Sequence, residues 1–333
     1  MKKLIALGLA ACMTFSLAGC SGSTSKETEA ASAAETTAAA SAAASDTATS
    51  IDKLTVTYVT SPLNVPTIIE KDQGIFEKEL CVPVEYAELT SGADQTQALA
   101  SGDVQVLYAV GATSVILSAA NGADIKVLNM YSRSPKAFCM YSKDETLTTP
   151  ESLKGKTIAG PTGTNLHELL VSYLAQADMT LDDVNYVNMT IPDAKAGLDG
   201  GSVDVALLAG ATAYNAEQQG YHLVADGEGL ISALIAVATT QKFYDEHPDV
   251  IEKLNAAQDG IASYMADSQD ETMETVAAAL DLDVDAVKEM YGYYDFSTEI
   301  TDADKEGFQK TADFMYESGM IENELDVNTL FIQ

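Results

Sequence analysis

Residues 158–170 of this 333-residue chain read IAGPTGTNLHELL, an apolar strand, a glycine turn and the start of a helix. That layout aims backbone amides at a ligand and commonly holds phosphates and other anions. A nucleotide-hydrolysing loop needs Lys and then Ser or Thr directly after its second glycine. Here Gly163 is followed by Thr164 and Asn165, so neither the charge nor a magnesium ligand is supplied. The dinucleotide pattern G-x-G-x-x-G and the nucleophile elbow G-x-S-x-G do not occur. His167, His222 and His247 have no triad setting, and Cys81 and Cys139 stand far apart with no C-x-x-C or metal spacing. The run from Asp281 has Ala286 where a calcium loop needs Gly and Gly292 where it needs Glu, so it reads as an acidic helix start. Catalysis and metal binding are thus unsupported, no cofactor is expected, and a binding turn remains. Asn165 followed by Glu168 fits a capping pair, with Leu166, Leu169, Leu170, Tyr173 and Leu174 as the buried stripe. The amides of Leu166, His167 and Glu168 then face a ligand; the alternative is a capped helix with nothing bound.

The elements that must carry this turn are duplicated. GDVQVLYAVGAT, residues 102–113, aligns without gaps on GSVDVALLAGAT, residues 201–212, and Asp94 and Leu99 match Asp193 and Leu198 at the same offset. Each half reads strand, polar turn, helix, second strand, short helix, repeated strand ending in Gly-Ala-Thr, and a further helix. Strands alternating with helices predict a mostly parallel sheet in each half. Continuous apolar runs such as VALLA suit sheets covered on both faces. Ligands of such sheets bind beyond the carboxyl ends of the strands, so two facing lobes form a cleft lined by strand-to-helix turns. The segments IKVLNMYSRSPKAFCMYS and LISALIAVATTQKFY read as the two hinge crossings, and residues 241–333 as acidic helices returning to the first lobe. The expected division is a first lobe over 51–137, a second over 138–240, and those helices.

Ahead of the body stands a targeting signal. Lys2 and Lys3 precede an apolar stretch ending in LAGC, residues 17–20, which resembles the bacterial lipobox. That resemblance implies cleavage after residue 19 and a lipid on Cys20; a plain secretory signal is the alternative. Residues 20–50, with almost only Ala, Ser, Thr and Glu after the cysteine, cannot bury a core and are expected to form a disordered tether. As a coil of about thirty residues it reaches roughly 30 Å. The formal charge of −32 becomes −34 when Lys2 and Lys3 leave with the signal, because residues 1–19 hold no acids. Nucleic acid rewards clustered Lys and Arg, so it is excluded as a partner. Cys81 and Cys139 are expected to be buried free thiols, with one disulfide as the alternative.

PLNVPTIIEKDQGIFEKE, ALASGDVQVLYAVGATSVILSAANGADIKV, SLKGKTIAGPTGTNLHELLVSYLAQADMTLDDVNYV and DAKAGLDGGSVDVALLAG together resemble the solute-binding proteins of ABC importers. The group is the one serving nitrate, sulfonates such as taurine, and thiamine-type pyrimidines. The resemblance runs from about Leu54 to Pro248 and weakens in the C-terminal helices. It implies an α/β, two-lobed periplasmic-binding-protein-like fold of type II with a ligand cleft between the lobes. It implies a monomer that traps a solute by hinge closure and hands it to a permease and its ATPase. Carried over, the ligand is expected at Ser61, Leu63 and Asn64; at Ser91 and Gly92; at Gly111, Thr113, Gly210 and Thr212; and at Gly163, Thr164, Asn165 and His167. Each has a capping or packing alternative, Thr113 and Thr212 above all. His167 at a helix N-terminus should be neutral, and Tyr131 and Tyr214 either stack on a ring or pack. Arg133, the protein's only arginine, suits a sulfonate or carboxylate fork or is a hinge-surface residue. Enzymes of pyrimidine synthesis in the same superfamily carry a cysteine-rich motif absent here, which favours a binder. A small anion, sulfonate first, is the expected solute and a pyrimidine the second; a tethered sensor is a further alternative.

Overall fold

The computed structural model describes residues 49–60 and 63–332. The signal, Cys20, nearly all of the expected tether and Ser61 lie outside them. Thr49 and Ser50, read as the end of that tether, are instead tied to the body. Thr49 Oγ1 donates to the Leu80 carbonyl, and the Ser50 N–H and hydroxyl donate to Asp249 at 2.7 Å each.

The first half runs β1 (Leu54–Thr57), α1 (Val65–Gln73), α2 (Ile75–Leu80), β2 (Val84–Ala87), α3 (Gly92–Ser101), β3 (Leu107–Gly111), α4 (Ala112–Ala120) and β4 (Lys126–Arg133). The second runs β5 (Phe138–Ser142), β6 (Thr157–Gly160), α5 (Asn165–Ala175), β7 (Asn185–Asn188), α6 (Ile191–Gly200), β8 (Val205–Ala209), α7 (Gly210–Gln218) and β9 (His222–Asp226). Then come β10 (Leu234–Thr239), α8 (Gln241–Glu246), α9 (Pro248–Asp267), α10 (Gln269–Leu280), α11 (Val284–Tyr291) and α12 (Asp302–Glu317).

The duplication extends to the caps. Ser91 and Thr190 both accept from the amide of an aspartate three residues on, Asp94 and Asp193. Gly102 and Gly201 both end the helix in the left-handed conformation. Leu99 and Leu198 are both buried beneath it.

Sheet order repeats as well. The second sheet is β7-β6-β8-β5-β9. In the first half β2-β1 and β3-β10-β4 are joined by a parallel bridge from Val56 to Val106, giving the same order with β10 in the place of β5. β5 and β10 are the antiparallel members of these otherwise parallel arrangements. Each is delivered by a crossing from the other half, so each lobe's sheet is completed by chain that has just left its partner. Leu234–Thr239, assigned from sequence to the second lobe and a hinge, therefore lies inside the first sheet. The crossing precedes it, at residues 227–233. All five residues of β8 are buried, as its apolar run requires.

The C-terminal helices mostly cover the first half: α9 packs on α1 and α2, α10 on α1, and α12 on α4 and β10. α11 departs from that expectation and also touches α7 of the second half. Arg133, at the end of β4, is engaged here by its own chain. Its Nε and Nη2 donate to the two Asp304 oxygens at 2.6 and 2.7 Å, and Nη1 and Nη2 reach the Ser297 and Glu299 carbonyls at 2.8 Å. The Asp304 bonds first, and Asp295 after them, hold its charge more firmly. Cys139 is buried, but Cys81 is exposed at the end of α2, contrary to expectation; both are free. No described helix is long and apolar enough to cross a membrane.

Candidate ligand-binding site

Three helix N-termini meet where the halves touch. The Ser114 hydroxyl, in the first turn of α4, donates to the Gly163 carbonyl at 3.1 Å, ahead of α5. α3 closes in from the side: a Cβ on Gly92 would fall 1.9 Å from Ser114 Oγ, so only glycine permits that approach. Thr113 Oγ1 lies 2.9 Å from Asn165 Oδ1 and 2.7 Å from Glu168 Oε2. Thr311 of α12 donates to the other Glu168 oxygen at 2.9 Å. Gly111 sits against the same Asn165 amide, 3.3 Å from where its Cβ would be. Helix N-termini expose unpaired amides and a positive partial charge, and three of them converge at this junction although the chain is acidic.

His167 is buried behind the glycine turn, stacked on Tyr186 with ring centroids 5.0 Å apart. The Gly163 N–H donates to His167 Nδ1 at 3.3 Å, so in the neutral ring Nε2 carries the proton. Burial pushes its pKa down and keeps it neutral. Tyr186 is itself fixed by donating to the Gly160 carbonyl at 2.8 Å. His167 Nε2, Asn165 Nδ2 and Asn64 Oδ1 are all buried and have no hydrogen-bond partner among the described residues. A buried polar group without a protein partner is left for a water or a ligand to satisfy.

Gly92, Gly111, Thr113, Gly163, Asn165 and His167 are thus gathered directly. Thr164 borders them as the residue before α5, but its hydroxyl donates to the Pro161 carbonyl and caps nothing. The expected Asn165–Glu168 capping pair does not form. Asn165 is already the first helical residue, and Glu168 turns to Thr113 and Thr311. Thr113 and Thr212 are not caps either, since Gly111 and Ala209 hold those positions. Leu63 and Asn64 form a separate corner: the Leu63 amide donates to Tyr294 Oη at 3.0 Å, and Asn64 Nδ2 to the Val59 carbonyl at 2.9 Å. Ser91 is the α3 cap. Gly210, Thr212 and Tyr214 start α7, which faces α11; burial and then the carboxylates Glu289 and Asp283 push the Tyr214 phenol up. Tyr131 is core, its hydroxyl 2.7 Å from Thr67 Oγ1.

Ser114, the Glu168 carboxyl and Thr311 join the junction unanticipated as ligand-site groups; the Glu168 amide, expected to face a ligand, instead donates to the Thr164 carbonyl at 3.0 Å. Ser114 had a signal: it directly follows the repeated Gly-Ala-Thr, where the second copy has Ala213. Thr311 had none. An open cavity of about 700 Å³ lies elsewhere, between α1 and α10, and none of the expected residues lines it.

The model of a family described as NMT1/THI5 like matches residues 62–272 of the chain. A taurine-binding periplasmic protein of Escherichia coli strain K12 is 28% identical over 218 residues, 64% of this chain and 67% of that one. A putative aliphatic sulfonates-binding protein of the same organism is 27% identical over 139 residues, 41% of this chain and 43% of that one. The alkanesulfonate-binding protein SsuA of Xanthomonas axonopodis pv. citri, solved bound to MOPS, superposes with a TM-score of 0.77. It is 19% identical, over 85% of this chain and 98% of that one. That likeness establishes the two-lobed periplasmic-binding-protein fold.

Proposed function

The chain belongs to the NMT1/THI5-like family, and on that premise we propose that it is an extracytoplasmic solute-binding protein of an ABC importer. It captures a small sulfonate, hands it to the permease and its ATPase, and turns nothing over itself. The observation that carries this reading is the meeting of the α3, α4 and α5 N-termini beside the unpartnered His167 Nε2 and Asn165 Nδ2. N–H donors and a positive partial charge suit the acceptor oxygens of an anion that brings no proton of its own. The names of the relatives, taurine and aliphatic sulfonates, narrow the anion. Hinge motion about residues 134–137 and 227–233 opens the site by parting Ser114 from Gly163 and Thr113 from Asn165. A lipid on Cys20 holds the protein, as a monomer, at the outer face of the membrane.

Melting of the full chain against taurine, ethanesulfonate, nitrate and a thiamine-type pyrimidine tests the ligand. A true ligand at a hundred times its Kd adds about 2.7 kcal/mol, a rise on the order of 5 °C for a body this size. Sulfonates should give it, and His167→Ala should abolish it. No rise with any anion discards the sulfonate reading. A pyrimidine is the second reading: Asn64 Oδ1 is an orphaned acceptor that a ring amine would satisfy where a simple alkanesulfonate, lacking taurine's ammonium, would not. Cys20→Ser should move the protein from the membrane fraction to the medium; retention would remove the anchor.

A further inference from the structure

Glu168 is a carboxyl buried to 4% exposure at the junction of the halves, and its side chain, unlike its amide, lies outside every expected ligand contact. Among the described residues its surroundings offer no cation; Lys310, beside Thr311 on α12, is exposed. α4 and β8 carry no titratable side chain, and β5 brings only Cys139 and Tyr141, both pushed up by burial. Asp304 of α12 is held by Arg133, and Glu151, in the turn under α5, acts on Tyr173. His167, on the same helix, is neutral. Among the described residues only the Thr113 and Thr311 hydroxyls reach the Glu168 carboxyl.

The Thr113 hydroxyl has one proton, yet it stands within hydrogen-bond distance of Asn165 Oδ1 and Glu168 Oε2, both acceptors if the acid is ionised. One of the three groups must bring another proton. Either the Asn165 amide turns its Nδ2 to Thr113, or Glu168 is protonated. The first turn of α5 favours a negative charge, but burial without a cation opposes it more strongly and pushes the Glu168 carboxyl up.

We infer that Glu168 is the residue that sets anion specificity: as a neutral acid it donates to Thr113, and Thr113 donates to Asn165 Oδ1. The Asn165 amide is thereby fixed with Nδ2 offered to the ligand beside the His167 turn. Ionised Glu168 reverses the relay. Thr113 then donates to the carboxylate and accepts from Asn165 Nδ2, and the amide presents its carbonyl oxygen, which repels an anion. Glu168 touches no ligand and acts through Thr113, so it is a positioning residue. The consequence rests on the sulfonate reading above; the relay itself does not.

Two measurements on the full chain test it. Taurine titrated from pH 5 to 9 should bind about tenfold or more weakly once Glu168 ionises, the worth of one hydrogen bond to a charged group. Glu168→Gln, which keeps a donor towards Thr113 and an acceptor for Thr311, should hold the low-pH affinity with that fall removed. Thr113→Val should lose about tenfold throughout. A Glu168→Gln profile that still follows the unmodified protein overturns the inference. The second measurement needs no ligand: the ¹³C carboxyl shift of Glu168 should remain that of a neutral acid at pH 6. A carboxylate shift at pH 5 overturns the relay whatever the protein binds. Absence of taurine binding with a neutral Glu168 refutes the sulfonate reading and leaves the relay standing.

Discussion

The two copies of Gly-Ala-Thr start from the same sequence and finish differently. In the first, Thr113 is fully buried and bonded across to α5; in the second, Thr212 is only half-buried on a helix that faces α11. The divergence begins one strand earlier. β3 slips register against β10 between Ala236 and Val237, with Ala109 at φ +80°, whereas β8 pairs regularly with β5. Helix α4 then starts at Ala112, one residue later than α7, which starts at Gly210, the partner of Gly111. Gly111 has φ −67° and Gly210 has φ +55°. A duplicated scaffold supplies equivalent turns, but a bulge of one residue and the identity of the facing surface decide which turn becomes part of a polar junction.

The largest expected effect contrasts the buried carboxyls of α1 and α5. Glu168 takes a hydroxyl on each oxygen, from α4 and α12, whereas Glu70 takes the Phe76 amide at 3.2 Å and the Tyr86 hydroxyl at 3.0 Å on Oε1 alone, its Oε2 having no partner among the described residues. Burial raises the Glu70 pKa from 4.5 to about 7. The folded state therefore keeps a proton that the unfolded chain releases. This contribution to stability is full below pH 4.5 and is lost as pH rises through about 7. Glu70→Gln should remove that fall, so urea unfolding at pH 8 should favour the variant by about 3 kcal/mol relative to the gap at pH 4.

Thr113→Val should cost about 2 kcal/mol in the same assay, because it strips a hydroxyl from two buried polar groups. Thr212→Val should change stability by less than about 0.5 kcal/mol. Equal losses would mean that the two turns are energetically equivalent despite their contacts. Gly210→Ala, at a left-handed φ, should cost about 1 kcal/mol. Gly111→Ala should cost less in stability and weaken sulfonate binding, since its Cβ would press on Asn165. Tyr214→Phe should leave both melting and binding within error; a loss of binding would bring the second turn back into the site.

Much of the framework was legible because it is local. Alternating apolar strands and helices, the 99-residue offset from Gly102 to Gly201, and the matched Asp94 and Asp193 all report on chain neighbours. The exchange of β5 and β10 between sheets was half visible: the crossings read as extended, but nothing local says which sheet an apolar strand joins. The site was legible as a set of turns, and six of its expected residues do meet. Its wiring was not. Glu168 read as a capping residue because Asn165 stands three positions before it, and the bonds that recruit it instead come from 55 and 143 residues away.

The sequence alone determined the elements, their duplication and the absence of hydrolytic or metal-binding motifs, since these depend on residue type at fixed short spacing. Only the tertiary structure decided that Arg133 serves Asp304, that Cys81 is exposed, and that one Gly-Ala-Thr turn locks onto α5 while the other does not. Those outcomes depend on which surfaces are brought face to face, and burial turns a hydroxyl or carboxyl from a solvated group into one that must find a partner.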